Sequence, residues 1–67
     1  MVSINAEQAI EKALDVIRKS GWSYALVSEV FQEDGYWIVM VETIVRRMRV
    51  KMDAGGNVLE IREVKPA

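Results

Sequence analysis

Cysteine and histidine are both missing from this 67-residue chain. Without them there is no disulfide staple, no Cys–His or Ser–His–Asp nucleophilic machinery and no ordinary zinc ligand set. Neither sign of charge dominates: nine Lys and Arg against ten Asp and Glu leave a net charge of −1. That balance gives no reason to expect a nucleic-acid partner. No segment approaches the roughly 20 apolar residues that span a bilayer, so no membrane span is expected. The opening MVSINAEQ has neither the basic nor the apolar region of a signal peptide, and the expectation is a cytoplasmic protein, the alternative being one already processed. A single domain over 1–67 this small buries only about 60% of its unfolded surface. With no disulfide or metal available, oligomerisation is the remaining common aid to stability.

Turn-forming residues are also absent from a long internal stretch. Between Tyr36 and Met52, YWIVMVETIVRRMRVKM contains no Gly, Pro, Asn, Asp or Ser. It is rich in β-branched and aromatic residues that suit strands. Fully extended it would span roughly 56 Å at about 3.3 Å per residue, long for one strand of a small domain. The stretch is either one long bent strand or two strands joined by a turn of unusual residues.

What is present sorts into one helix followed by strands. Ala6, Ala9, Ile10, Ala13, Leu14 and Ile17 recur at helical spacing within Ala6–Lys19. Asn5 is placed as N-cap with Gln8 completing a capping box, Ile4 as a hydrophobic staple and Gly21 as the stop. Asp34-Gly35 predicts a type I′ hairpin, which pairs Phe31 with Ile38, Val30 with Val39 and Val27 with Glu42. A second hairpin through Ala54-Gly55-Gly56-Asn57 sets Val50 opposite Ile61, Lys51 opposite Glu60 and Met52 opposite Leu59. The fold expected is α+β: one N-terminal helix on a three- to four-stranded antiparallel meander.

Alternation along the strands assigns two faces. Ile38, Met40, Ile44, Met48, Val50 and Met52, with Val27, Phe31, Leu59 and Ile61, form the face expected to carry the helix. Tyr24, Leu26, Val30, Trp37, Val39, Val41 and Val45 form the other. One fourteen-residue helix covers a single face, so this second set is the candidate interface of a homo-oligomer, a dimer being the simplest closed form. Arg46, Arg47, Arg49 and Lys51 are the one basic cluster. They are a candidate patch for an anionic partner, weighed against a solvated face paired with Glu60. Glu29 and Glu42 fall as diagonal neighbours on the apolar face, the only carboxylate pair suggesting acid–base chemistry. Asp53 and Asn57 offer two oxygens, far short of the six to eight that calcium takes. No catalytic residue, cofactor or metal site is assigned.

The leading AEQAIEKAL helix and the final RVKMDAGGNVLEI, with its V-x-x-D-x-x-G-x-V-L pattern, resemble the PepSY-type domain. That resemblance implies a small non-catalytic module that binds or restrains protein partners. Glu33-Asp34-Gly35, the alternating valines up to Glu42, and Arg46-Arg47 are similar to the gas vesicle protein O family. That second resemblance implies an accessory role in assembly. The leading expectation is therefore a non-enzymatic binding or regulatory module that self-associates by its sheet. A structural assembly component is the alternative, and a carboxylate-based enzyme or small-ligand binder a distant third.

Overall fold

The computed structural model describes residues 3–64, so both ends of the expected 1–67 domain lie outside the described residues. Helix α1 (Ala6–Lys19) precedes four strands, β1 (Leu26–Glu33), β2 (Tyr36–Glu42), β3 (Arg47–Met52) and β4 (Val58–Val64). They form one antiparallel sheet in the order β1-β2-β3-β4. The α+β meander expected from the sequence is the fold observed.

The helix begins where its cap dictates. The Asn5 side chain accepts from the Gln8 backbone N–H at 2.8 Å, and the Gln8 side chain accepts from the Asn5 N–H at 3.0 Å. This capping box satisfies two donors that a helix start leaves orphaned. The helix ends at Ser20, and Gly21 takes the φ of +102° that lets the chain turn away. Ala9, Ala13 and Ile17, four residues apart, are fully buried against the sheet. Alanine at two of these three positions lets the helix axis lie close to the strands.

Asp34 and Gly35 both adopt positive φ, as a type I′ hairpin requires. The turn-free stretch divides in two. Strands β2 and β3 are joined by Thr43-Ile44-Val45-Arg46, a loop with no residue specialised for turning. It is fastened instead by Thr43, which is buried. The Thr43 N–H donates to the Arg46 carbonyl at 2.7 Å, its hydroxyl donates to the same carbonyl at 3.1 Å, and it accepts from the Arg46 N–H at 3.0 Å. One side chain does here what glycine or proline does elsewhere.

That loop inverts the parity of the faces. Val41 pairs with Met48, Val39 with Val50 and Trp37 with Met52. Odd residues of β2 therefore share a face with even residues of β3. The core under α1 comprises Val39, Val41, Met48, Val50 and Met52 with the helix residues, and Val27, Val30 and Trp37 pack at its edge. This corrects the expected faces: Val30, Trp37, Val39 and Val41 lie beneath the helix, while Ile38 and Met40 face away from it. Two bulges shift the expected registers. A bulge at Ser28 puts Leu26, not Val27, opposite Glu42. Another at Leu59 puts Val58 opposite Met52, while the Val50–Ile61 and Lys51–Glu60 pairs stand as expected.

Candidate interaction surfaces

The helix lies chiefly over β1 and β2. What it leaves bare determines where this protein offers apolar surface. The loop after α1 and the β2–β3 loop meet at one end of the molecule. There Trp22, Tyr24, Ile44 and Val45, with Gly21 and Ser23, line a shallow groove. Ile44 is 80% exposed and Val45 72% exposed, at the tip of the loop that Thr43 holds rigid. The Arg46 guanidinium sits 5.5 Å from the centre of the Trp22 ring and bonds Glu63 at 3.3 Å. Tyr24 and Leu26 are also more than half exposed. Isolated exposed apolar residues are ordinary, but a cluster of large ones on a fixed loop is not.

Of the seven expected interface residues, Tyr24, Leu26 and Val45 are exposed at this end. Val39 and Val41 are fully buried, and Val30 and Trp37 are half-buried against the core. Ile44, placed beneath the helix by an alternation that runs unbroken through the hidden turn, is instead exposed.

A second bare region lies along β4, an edge strand. Ile61 pairs with Val50 and so faces the helix side, yet the helix does not cover it. Val58, Leu59 and Ile61 are 36%, 54% and 41% exposed. Of these, Leu59 and Ile61 are expected from the sequence to sit beneath the helix.

The face away from the helix is closed by its own side chains. Arg47 donates to one oxygen of Glu42 from Nε and Nη2 at 3.2 and 2.9 Å. Arg49 bonds Glu33 at 3.0 Å, Arg62 bonds Glu60 at 3.2 Å, and the Lys51 ammonium lies 4.3 Å from the centre of the Tyr36 ring. Each member of the basic cluster is thus engaged within the chain, and Arg46 lies in the loop apart from the other three. Glu42 is tied to Arg47, and Glu29 stands exposed beside Met40, so the two carboxylates do not converge on a shared pocket. Asp53 and Asn57 bind each other: Asp53 Oδ1 accepts from the Gly55 and Asn57 N–H groups at 2.9 Å each, and Oδ2 accepts from Asn57 Nδ2 at 3.0 Å. The side-chain bond from Asn57, and then its backbone N–H, hold the Asp53 carboxyl below its ordinary range. Among the described residues no helix is long and apolar enough to cross a membrane, and no three acidic residues group as metal ligands.

Compared with protein-family models, curated proteins and solved structures, the chain matches none.

Proposed function

We propose that this protein is a small non-enzymatic binding module of PepSY-like type, acting in the cytoplasm through protein–protein association, including association with itself. The observation that carries this reading is the exposed apolar end built from Trp22, Tyr24, Ile44 and Val45. Thr43 spends three hydrogen bonds on holding that loop in one shape, so the apolar tip is presented pre-organised, which lowers the entropic cost of docking.

A structural assembly component, as the likeness to gas vesicle protein O implies, is the second reading. It is favoured by a separate observation: the apolar end and the β4 edge are two different bare surfaces. Contacts between unlike surfaces propagate instead of closing.

Sedimentation velocity from low micromolar to millimolar concentration tests both. A closed species heavier than the monomer supports the module, and growth without limit supports the building block. A monomer throughout removes self-association from the reading. Ile44→Asp with Val45→Asp should abolish whatever association the apolar end mediates while leaving the circular dichroism spectrum unchanged.

A further inference from the structure

Resting on the self-association reading above, we infer that two copies pair antiparallel through β4, about a two-fold axis perpendicular to the sheet at Ile61.

Strand β4 is one of two sheet edges. The other, β1, is broken by the bulge at Ser28, a device that blunts edge pairing. In β4 the bulge falls near the start, at Leu59, and leaves Glu60–Val64 in regular register. Its outer N–H and C=O groups offer a template for another strand.

The charges along Glu60–Glu63 favour one register. An antiparallel pair related by a two-fold axis keeps each residue on its own face, so one residue must lie opposite its own copy. Centring on Glu60, Arg62 or Glu63 sets like charges against each other. Centring on Ile61 sets the two Ile61 side chains together on the helix side. On the opposite face, Glu60 then meets the partner's Arg62 and Arg62 meets the partner's Glu60. The regular pairing stops short of Val58, because the bulge at Leu59 turns Val58 to the helix side with Met52 while Val64 lies on the other face with Arg47. The existing Glu60–Arg62 pair, at 3.2 Å with both side chains substantially exposed, becomes half of an alternating ring of four charges. Both helices lie on the same side of an eight-stranded sheet, and Leu59 and Ile61 from each copy floor the valley between them. The bare helix-side strip of β4 thereby gains its own copy as a lateral neighbour.

This register makes a charge-swap test possible. Glu60→Arg leaves two arginines on each edge, and Arg62→Glu leaves two glutamates. Each variant alone should lose dimer affinity by about tenfold or more, because both cross-strand ion pairs become repulsive. Mixed one to one, they should form a heterodimer in native mass spectrometry, since every cross-strand pair is again opposite in sign. The Glu60→Arg/Arg62→Glu double variant should dimerise like the wild type. In the wild type, amide exchange in β4 should slow as concentration rises, while β1 amides should not change. Single variants that dimerise normally, a mixture that stays monomeric, or β4 protection independent of concentration would each overturn the pairing. If the wild type associates and only the Ile44/Val45 variant dissociates it, this interface is wrong and the association reading stands. A wild type that is monomeric at every concentration removes both.

Discussion

Val39 and Val45 share a residue type and an odd number, and they belong to neighbouring segments of one turn-free stretch. The fold separates them completely. Val39 is fully buried beneath α1 and pairs with Val50, whereas Val45 is 72% exposed at the loop tip. Truncating Val39 to Ala removes the equivalent of two methylene groups, about 0.8 kcal/mol each in transfer alone. The cavity left among Val41, Val50 and the helix alanines raises the expected cost to about 2–3 kcal/mol. A domain this small is stable by roughly 3–10 kcal/mol, so the change is a large share of the whole. With a urea slope of about 1 kcal/mol per molar, the midpoint should fall by about 2 M or more. Val45→Ala should move it by about 0.5 M or less. Both must be measured at one low concentration, because linked association would raise the apparent stability of whichever variant still associates. Equal losses in the two variants would show that the Thr43–Arg46 turn does not exist and that the strand runs on unbroken.

Asn5→Ala removes the acceptor for the Gln8 N–H and should cost about 1 kcal/mol, read as a lower denaturation midpoint with faster amide exchange confined to the first helical turn. Gly56→Ala should destabilise by about 1–2 kcal/mol in the same assay. Gly56 has φ of +90°, and a β-carbon there would lie 2.6 Å from Lys12 Cε and 3.3 Å from Ile4 Cγ2. No change in that variant would mean the loop sits away from the helix. Asp53 is held below its ordinary pKa of 3.8 by Asn57, so its contribution is present above the unfolded value and is lost as pH falls through the folded one. The stability difference between wild type and Asp53→Ala should therefore be full near neutral pH and shrink below about pH 4; a difference that persists unchanged in acid would refute the role of the carboxylate.

What was legible in the chain was whatever rests on local chemistry. The helix and its ends follow from Asn5, Gln8 and Gly21, the first hairpin from Asp34-Gly35, and the second from Asp53 through Asn57. Three features were not legible, for one physical reason. The turn at Thr43–Arg46 is closed by a threonine hydroxyl acting on the backbone three residues on, and threonine is also a good strand residue, so the composition reads as uninterrupted strand. The bulges at Ser28 and Leu59 insert one residue each without any glycine to mark them. Because side chains alternate with a period of two, the unmarked turn puts odd residues of β2 and even residues of β3 on one face, and the bulges shift the pairs of Leu26, Val27 and Val58. The architecture survives these slips, but the surface does not. Hence the expected interface included Val39 and Val41, which are core, and omitted Ile44.

The corrected faces also explain why association through the broad side of the sheet is disfavoured. The side away from α1 has an apolar strip of Phe31, Ile38 and Met40, yet Ile38 is only 1% exposed, seated among Glu33, Tyr36, Arg49 and Lys51. Stacking two such faces would strip water from the Glu33–Arg49 and Glu42–Arg47 pairs, and desolvating charges costs more than partly exposed pairs return. On the helix side the limit is width. A helix about 10 Å across cannot roof four strands spaced about 4.8 Å apart, and α1 sits chiefly over the first two. The residues left over, Val58, Leu59 and Ile61, fall on the edge strand, where backbone hydrogen-bonding groups are also free. Apolar surface and edge backbone coincide there, so one antiparallel contact would pair the backbone and set the two apolar side-chain rows against each other, which stacking the sheets cannot do.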